Sequence, residues 1–465
     1  MRVDRLDETL IFESQDKELF LSCFQEPRKL PEYIEKEILK LVFDSLKLDI
    51  NGNDDVTLLI KRLPTPFINK VIFDVESMFS DEMSLYSDGV HESAALYLGR
   101  HLSYLMYYLP VNVFKVWKPL VDLQVKDKLK WKMRILDIGT GPGSVAVGIM
   151  EYYRMMAEAF PYLNFVLSFV LLDGQREFLT IAKRLINSLT AYMPPNLFVS
   201  IEESICRTLD SPEDISVSGE FDLITMSNFL TINEMRNSQN AVAIVSALKD
   251  SLKKDGSVII IENGIKNNCL SFKTIRNDLV NQGVYNVYSP CNGIWQPKKE
   301  YSCTCFNMVR CFWEIPLIYK FLRDHGLKKG GRYDVPFNYA ILRKDGKTKY
   351  RAEGNNRFYV QLKDLREYID RTVNVKAIIR TVIDRGDKIS VSLCDGSMDL
   401  GIDDDSSAVW IEPVDKEWLV KKGLNLPIVA AEKITLKKVK VIAHGTFVVI
   451  PRLRMQGSTE IEIEY

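Results

Sequence analysis

The feature that most constrains the fold is a glycine-rich turn between an apolar strand and a helix. The short apolar run is "RILDI", the turn is "GTGPGS", and the helical stretch that follows is "VAVGIMEYYRMMAEAF". Gly139, Gly141 and Gly143 allow the backbone to turn tightly and to approach a ligand before the helix begins. A strand, a glycine turn and a helix in this order predict the first β-α unit of a ligand-binding parallel sheet.

Strands and helices continue to alternate after this turn. The strand patterns are "NFVLSFVLLDG", "NLFVSIEES", "FDLITMSNFL" and "GSVIIIENG", and helical patterns such as "QREFLTIAKRLINSL" lie between them. Alternation of this kind predicts a parallel sheet that is covered by helices on both faces. We expect "FNYAILRK" to add a late edge strand.

The regions on either side differ from this α/β pattern. Residues 1–125 place apolar residues at helical spacing, whereas residues 356–465 alternate at period two between turn signals. Residues 126–350 form the predicted α/β domain, which carries a cysteine-rich insertion at about 284–315. The expected fold class is therefore α/β: a Rossmann-like domain with an N-terminal helical region and a small, barrel-like, all-β C-terminal domain.

The form of the glycine loop favours S-adenosylmethionine over a dinucleotide. The loop is D-x-G-x-G-x-G rather than G-x-G-x-x-G, although a glycine triplet alone also suits dinucleotides. The acid that ends the next strand could bind a ribose diol in either class. A serine and an asparagine end the fourth strand, at the edge where an open α/β sheet binds its ligand. The candidate cofactor-binding residues are Asp137, Gly139, Thr140, Gly141, Gly143, Asp173, Ser227 and Asn228.

This architecture and spacing resemble the class I methyltransferases over about residues 130–345. "SNFL" stands where enzymes that methylate nucleic-acid amines typically carry an N/D-P-P-Y/F motif. Cys291, in "SPCNG", is the nearest candidate for the nucleophile that pyrimidine C5 methylation needs, but its company of further cysteines favours a ligand role. No general base is identifiable, so the catalytic residues are unknown and methyl transfer would rest on proximity and alignment.

Several segments together resemble a more specific family. In chain order they are "YYLPVNVFKVWKPLVDL", "DIGTGPG", "FDLITMSNFLTINEM", "IIIENGIKNNCLSFKTIRNDLVNQG" and "DVPFNYAIL". They resemble the methyltransferase-like family that associates with the small subunit of mitochondrial ribosomes and that has relatives in bacteria and archaea. The resemblance implies a methyltransferase-like protein that acts on small-subunit rRNA during ribosome assembly or translation. A non-catalytic assembly factor that binds the cofactor or only the metal group is the alternative.

Half of the eight cysteines lie in one short stretch, "SPCNGIWQPKKEYSCTCFNMVRCFW". Members of the resembled family carry a cysteine-rich insertion here and are understood to bind an iron-sulfur cluster, with a pattern of roughly C-x5-C-x7-C and a distant fourth cysteine. By that resemblance Cys303 and Cys311 keep the x7 interval, and "SLCDG" supplies the fourth ligand. A local set without the distant cysteine competes with this assignment. The candidate ligands are Cys291, Cys303, Cys305, Cys311 and Cys394.

The chemistry of these ligands narrows the choice of metal group. Soft thiolates select iron-sulfur clusters or zinc, and a reducing cytosol disfavours disulfides. We expect a 4Fe-4S cluster, with structural zinc on another methyltransferase as the alternative. Ligands from both the insertion and the β domain would pin the two together, so loss of the cluster should loosen that half of the molecule.

Two basic sets are candidate contacts with rRNA, because Lys and Arg neutralise phosphates and interleaved aromatic rings can stack on bases. A solvated charged face is the simpler alternative. The first set is Arg323, Lys328, Lys329, Arg332, Arg343, Lys344, Lys347, Lys349 and Arg351, with Tyr333, Phe337, Tyr339 and Tyr350 between them. The second set is Lys433, Lys437, Lys438, Lys440, Arg452 and Arg454.

The bulk properties place the chain among ordinary globular proteins. It has 465 residues, 46% hydrophobic residues and a net charge of -1, so charge alone gives no sign of nucleic-acid binding. No uncharged apolar run approaches the length of a membrane span, and the acidic N-terminus does not look like a signal or transit peptide. We therefore expect a cytoplasmic protein without a membrane partner, with a monomer favoured.

Overall fold

The computed structural model describes residues 2–3, 8–23, 27–51, 54–88, 100–215, 217–230, 238–291, 293–295, 300–305, 309–328, 334–351, 356–398, 400–401, 408–424, 428, 430–445 and 450–464. The chain forms two compact units. The first unit comprises Met1–Ile261 and Cys311–Val335, and the second comprises Glu262–Arg310 and Pro336–Tyr465. The domain boundaries expected from the sequence stay predictions. Within the described ranges, no helix is long and apolar enough to cross a membrane.

The first unit begins with helices, as the spacing of apolar residues predicts. In α2, Ile34, Ile38 and Val42 are fully buried at four-residue intervals, so one face of the helix packs into the core. The side chain of Asp55 caps α3 by accepting a hydrogen bond from the N–H of Leu58 (2.7 Å). The elements are β1 Arg2–Val3, β2 Leu10–Ile11, α1 Ser14–Cys23, α2 Glu32–Ser45, α3 Val56–Lys61, α4 Thr65–Asp88, α5 His101–Asn112, a 3-10 turn Val113–Val116 and α6 Trp117–Gln124.

A parallel sheet follows, in the order β5-β4-β3-β6-β7. Its elements are β3 Lys132–Ile138, α7 Ser144–Ala159, β4 Phe165–Asp173, α8 Arg176–Leu189, β5 Leu197–Cys206, β6 Phe221–Ser227, α9 Ser238–Ala247 and β7 Leu252–Asn263. Near-continuous apolar strands such as β4 suit a sheet buried on both faces. The order reverses at β3, between β4 and β6, which is where doubly wound sheets bind ligands. The predicted Rossmann-like fold is confirmed.

Smaller elements connect this sheet to the rest of the chain. They are α10 Lys266–Asn281, β8 Asn286–Ser289, β9 Val309–Phe312, α11 Leu317–Asp324 and β10 Asp334–Arg343. In the second unit β10 pairs with β8 in antiparallel register, with Leu342 opposite Val287. The segment "FNYAILRK" is therefore a strand, as its pattern predicts.

The C-terminal region is a closed β-barrel, which confirms the predicted all-β domain. Its elements are β11 Thr372–Arg385, β12 Lys388–Cys394, β13 Val409–Asp415, α12 Lys416–Lys421, β14 Lys433–His444, β15 Ile450–Arg454 and β16 Glu460–Glu464. The ring runs β11-β12-β13-β15-β14 and closes from β14 to β11, while β16 pairs with β14 outside it. Among the described strand pairs of the barrel, only β13 and β15 are parallel. A helix between the third and fourth strands completes the connectivity of an OB-fold.

The cysteine-rich segment packs on this barrel within the second unit. Cys305 shares a buried cluster with Leu400 and Ala408, and the backbone N–H of Thr304 donates to the carbonyl of Leu400 (3.0 Å). Ile294 lies in a second cluster with Ile378 of β11. In OB-folds the face of the second and third strands commonly binds nucleic acid. Here the insertion packs against Ile378 of β11 and against Leu400 and Ala408, which lie between β12 and β13.

Candidate functional site

The glycine loop adopts a conformation that other residues adopt only with strain. Gly139 has a φ of +66° and Gly143 a φ of +98°. A Cβ atom on Gly139 would lie 2.6 Å from Cδ2 of Phe229, so this position has no room for a side chain. The carbonyl of Gly143 accepts a hydrogen bond from the N–H of Val147 (2.9 Å), which opens α7. The loop therefore carries the chain from β3 directly into a helix, as its sequence predicts.

Asp137 lies one residue before the end of β3, and its carboxyl group is buried. Its Oδ1 accepts a hydrogen bond from the hydroxyl of Thr225 (2.7 Å), whereas Oδ2 has no hydrogen-bond partner within the described residues. The hydroxyl of Thr140 donates to the backbone carbonyl of Asp137 (2.8 Å). Burial raises the pKa of Asp137 to about 7; the Thr225 hydrogen bond opposes this shift and the nearby charge of Asp173 adds to it. A cationic ligand group at Oδ2 would favour the ionised form.

Asp173, at the end of β4, is tied to the same loop. Its Oδ2 accepts the N–H of Gly141 (2.8 Å) and its Oδ1 accepts the N–H of Gln175 (2.8 Å). Burial raises the pKa of Asp173 overall, although both backbone hydrogen bonds lower it. A carboxylate oxygen can accept more than one hydrogen bond, so both oxygens keep capacity for ligand hydroxyls.

Ser227 and Asn228 lie at the carboxyl end of β6. Asn228 has a left-handed φ of +50°, and its N–H donates to the carbonyl of Ile261 (2.8 Å). Its side-chain Oδ1 is buried, with no hydrogen-bond partner in the part of the chain that is described. Backbone strain of this kind clusters at functional sites. The structure therefore brings Asn228 to the sheet edge where Asp137 and Asp173 also end their strands.

Two residues of this site were not expected from the sequence. Thr225 is an interior residue of β6, and only the parallel register places it opposite Asp137. Tyr104 of α5 lies 3.9 Å from where a Cβ on Gly141 would be. Its ring stacks on Tyr108, with centroids 4.6 Å apart. The spacing of the aromatic residues in α5 predicts a helix face that packs into the core. It does not predict that this face lies beside the glycine loop.

A second candidate site is a cavity in the second unit. The structure brings four of the five candidate ligands to its wall: Cys291, Cys303, Cys305 and Cys394. The sequence left open whether Cys305 or Cys394 completes the set, and both line the same cavity. Other residues on its wall are Arg276, Tyr301, Ile378, Arg380 and Met398.

Two of these thiols form a coupled pair. A hydrogen bond from Cys305 lowers the pKa of Cys303 to about 4; burial opposes this shift and the charge of Arg276 adds to it. The same hydrogen bond raises the pKa of Cys305, and burial raises it further. Of this pair, Cys303 is therefore the thiol that ionises more readily, although its Sγ also donates to the carbonyl of Leu400 (3.3 Å). The thiolate is the state that binds a metal.

The other two thiols have opposite environments. Burial raises the pKa of Cys291, but the charges of Lys273 and Arg276 lower it more, so the net direction is downward. Burial raises the pKa of Cys394 to about 12, and the negative charges of Cys303 and Asp395 add to the shift. Cys394 therefore needs a metal group, or another cation, before it ionises near neutral pH.

Cys311 is not among the residues that line this cavity. It belongs to the first unit, where it is buried in β9 and its Sγ lies 3.6 Å from Nη1 of Arg28. The same Nη1 donates to the carbonyl of Phe114 (3.1 Å). Across the described ranges, no group of three or more Cys, His, Asp or Glu side chains is arranged to hold a single metal ion. The four thiols thus share one wall without converging on one point.

The predicted basic sets are less available than the sequence suggests. Arg343 is buried and paired with Asp345 (2.6 Å), and Lys349 is buried and paired with Glu432 (2.9 Å). In the barrel, Glu460 pairs with two lysines of the second set. Arg323, Lys328, Lys347 and Arg351 are exposed, whereas Lys329, Arg332 and Tyr333 lie outside the described residues.

The aromatic residues expected to stack on bases are also unsuited to that role. Phe337, Tyr339 and Tyr350 expose only 1%, 2% and 2% of their surface. The rings of Phe337 and Tyr339, which share one face of β10, and the ring of Tyr350, which follows the strand, are buried, so the expectation that they stack on bases is wrong. The exposed cations of both sets stay candidates for phosphate contact.

Comparison with known proteins gives distant structural likenesses. No family profile matches the chain, and no curated protein matches it. A SAM-dependent methyltransferase from Methanosarcina mazei is 12% identical with a TM-score of 0.26, and the match covers 47% of this chain and 96% of that protein. A SAM-dependent methyltransferase from Leishmania major is 14% identical with a TM-score of 0.30, and the match covers 57% of this chain and 90% of that protein. A SAM-dependent methyltransferase from Clostridium acetobutylicum is 15% identical with a TM-score of 0.26, and the match covers 52% of this chain and 96% of that protein.

Proposed function

We propose that the first unit binds S-adenosylmethionine at the glycine loop and that the chain is a methyltransferase acting on small-subunit rRNA. The observation that carries the cofactor assignment is the buried carboxyl group of Asp137, whose Oδ2 has no partner among the described residues at the switch point of the sheet. When bound, S-adenosylmethionine supplies an activated methyl group on a sulfonium, beside an ammonium group and a ribose diol.

Each residue of the loop has a role that its geometry supports. Asp137 would bind the cationic methionine end, because a positive charge stabilises its ionised form. Asp173 would accept hydrogen bonds from the ribose hydroxyls through the capacity that its two backbone contacts leave. Asn228 would orient the methyl-donating end of the cofactor through its side-chain Oδ1, which has no hydrogen-bond partner among the described residues. The chain then contributes alignment rather than proton transfer.

The rRNA assignment rests on the resemblance of five chain segments to the family associated with the small ribosomal subunit. The exposed side chains of Arg323 and Lys328, and those of Lys347 and Arg351, are the described cations of the first set that can reach phosphates. Base stacking by the buried aromatic residues does not contribute. We therefore propose recognition of structured rRNA chiefly through its backbone.

An assembly factor that binds S-adenosylmethionine without transferring a methyl group is the second candidate. It is favoured by "SNFL" after β6, where an amine-methylating enzyme would carry a base-gripping motif. Both carboxylates at the sheet edge are already engaged by backbone or hydroxyl donors. Neither is placed as a general base by any contact that the structure shows.

We also propose that the cysteine cavity holds an iron-sulfur cluster, with zinc as the alternative. The donor set fits such a group, because four thiols and buried basic side chains share one cavity. The proposed ligands are the four cysteines that line the cavity, Cys291, Cys303, Cys305 and Cys394, and Cys311 is not among its lining residues. A group bound there would cross-link the insertion to the barrel within the second unit.

Two measurements test these assignments. Isothermal titration with S-adenosylmethionine, followed by a tritiated-methyl assay on isolated small ribosomal subunits, separates an enzyme from a binding factor. Binding without transfer would reject the enzyme assignment, and no binding would reject the cofactor assignment. Metal analysis and a visible spectrum of anaerobically purified protein distinguish iron-sulfur from zinc, and a metal-free protein would reject both.

A further inference from the structure

The outer face of the barrel carries an aromatic ring and a cation on neighbouring strands. In β13 and β15, the side chains of Val409, Ile411 and Leu453 belong to the buried core of the barrel. Because side chains alternate along a strand, Trp410 and Arg452 point to the outer face. The register of the parallel pair places these two residues directly opposite each other. Both are half-buried, so each keeps part of its surface open to solvent.

The cation of this pair, Arg452, has no charged partner among the residues that the structure describes. Its Nε is buried and has no hydrogen-bond acceptor in those ranges. No carboxylate of the same ranges forms an ion pair with its guanidinium group. A buried N–H donor that lacks an acceptor costs free energy, more so when the group is charged. A phosphate group would supply both the acceptor oxygens and the opposite charge.

Two further cations extend the same face. Arg454 lies two positions along β15 from Arg452, and the antiparallel register places it opposite Lys440 of β14. Arg454 pairs with Glu412 (2.5 Å), and Nζ of Lys440 lies 3.7 Å from Asp370. Ion pairs that are open to solvent contribute little free energy. Both cations can therefore exchange a carboxylate for a phosphate at small cost.

This face is displaced from the surface that OB-folds commonly use. The common nucleic-acid site lies on the second and third strands, which are β12 and β13 here. In this chain the cysteine-rich segment packs beside those strands, where Cys305 shares a buried cluster with Leu400 and Ala408. Trp410 packs against the edge of that cluster. The aromatic ring and the cations lie instead on β13, β15 and β14, which are neighbours in the ring.

An aromatic ring beside a cation without a charged partner suits an unpaired nucleic-acid strand. Unpaired bases stack on aromatic side chains while the phosphates between them contact cations. Bases inside a duplex are stacked on each other and cannot do so. We infer that the outer face of β13, β15 and β14 binds an unpaired stretch of RNA, with a base on Trp410 and the adjacent phosphate on Arg452. The inference rests on the proposed rRNA partner and adds a surface that selects its unpaired segments.

The test measures binding of a fluorescein-labelled oligouridylate to the full chain by fluorescence anisotropy. The probe has about twelve nucleotides, a length within the range that one OB-fold covers. A duplex RNA of the same length is the second probe, and the wild type should bind it more weakly. Trp410→Leu should weaken oligouridylate binding by about 5-fold to 150-fold, the range for loss of one stacked base, whereas Trp410→Phe should stay near the wild type.

The role of Arg452 is tested through the salt dependence of the same binding. Arg452→Met removes one phosphate contact, so the slope of log affinity against log salt should become shallower by about 0.7. Arg452→Lys keeps the charge and should keep the slope. Lys421→Met is the matched control, because Lys421 is an exposed lysine of α12, which is not part of this face.

Weaker binding in Trp410→Leu and Arg452→Met, with retention in the two conservative variants and in Lys421→Met, supports the inference. A wild type that does not bind oligouridylate, equal affinity in all variants, or tighter binding of the duplex overturns it. Circular dichroism checks folding, and Arg452→Met decides the question if Trp410→Leu is unstable, because Arg452 lies outside the cluster that Trp410 packs against.

The tritiated-methyl assay on isolated small ribosomal subunits separates this inference from the proposed function. A chain that methylates the subunits but does not bind oligouridylate through this face loses the inferred surface and keeps the proposed function. A chain that binds oligouridylate through this face but neither binds S-adenosylmethionine nor methylates the subunits keeps the surface and loses the proposed function.

Discussion

The glycine loop of the first unit and the cysteine cavity of the second are built in opposite ways. The loop is a contiguous motif whose backbone does the positioning, since Gly139 and Gly143 hold positive φ angles and Gly141 donates its N–H to Asp173. The cavity draws its thiols from separate elements, with Cys291 after β8 and the last cysteine at the end of β12. The loop is thus organised by backbone geometry and the cavity by side-chain chemistry.

Because the two sites are built differently, different substitutions should disrupt them. A loop that depends on positive φ angles loses its shape when a side chain is added to one of its glycines, because other residues adopt such angles only with strain. A cavity of soft ligands and buried cations fails when one charge or one sulfur is removed. The two sites should therefore be separable by single substitutions.

The largest effect is expected from removing a thiol. Replacing Cys303 or Cys394 by Ser should reduce bound metal to a small fraction of the wild-type content, because a hydroxyl is a poor substitute for a soft thiolate. Cys311→Ser is the matched control and should keep its metal, since Cys311 lies beside Arg28 in the other unit. Metal analysis per chain is the measurement. Equal loss in all three variants would remove the distinction drawn between Cys311 and the cavity.

The next largest effect is expected at Gly139. Gly139→Ala places a methyl group 2.6 Å from the ring of Phe229 at a φ of +66° and should abolish binding of S-adenosylmethionine while leaving metal content unchanged. Gly283→Ala is the control, because Gly283 has a φ of +69° with nothing within 4 Å of the added methyl group. It should lose only about 1–2 kcal/mol of stability from the left-handed conformation. Isothermal titration and metal analysis would expose any coupling between the sites.

A smaller, pH-dependent effect is expected at Asp137. Its pKa in the folded, ligand-free chain is raised from 3.8 to about 7, so between these values the folded state binds more protons than the unfolded state. The free energy of unfolding should therefore fall as pH rises through this window, by at most about 1.4 kcal/mol per pH unit for one proton. Asp137→Asn should flatten this slope. Denaturant unfolding of both proteins from pH 4 to about pH 8 checks the sign, and identical slopes would contradict it.

The smallest effect is expected at Tyr104. Tyr104→Leu keeps an apolar side chain on α5 but removes ring contacts to Tyr108 and Phe178, with centroid distances of 4.6 Å and 5.3 Å. We expect a loss of about 1 kcal/mol in stability, and a decrease of less than about tenfold in affinity for S-adenosylmethionine. Thermal melts and titration measure both. A loss of affinity for S-adenosylmethionine as large as that expected for Gly139→Ala would mean that α5 shapes the glycine loop rather than only lying beside it.

The loop could be predicted closely because its information is local. Strand, glycine turn and helix are adjacent in the chain, and Asp137 and Asp173 occupy the ends of consecutive strands. Thr225 could not be predicted, because its contact with Asp137 depends on the register between β3 and β6. A strand pattern gives the period of side chains but not the neighbour that each one faces.

The grouping of the cysteines around one cavity could be predicted only in part, for the same reason. The spacing between Cys303 and Cys311 matches a familiar interval, yet Cys311 is a buried residue of β9 beside Arg28. Cys394 approaches the insertion only because β12 lies between β11 and β13 in a closed ring. Parallel pairing of β13 with β15, which is one step of that ring, leaves no local signal in the sequence.

The edge strand β16, which lies outside the barrel ring, affects whether copies of this chain associate at high concentration. β16 ends the path of paired strands, and Glu460, Glu462 and Glu464 alternate along it with two isoleucines. A regular edge of this kind is a template for pairing with another chain, and charged side chains make that pairing unfavourable. Two of these glutamates also form ion pairs with lysines of β14. The acidic edge thus protects the barrel from strand-by-strand aggregation.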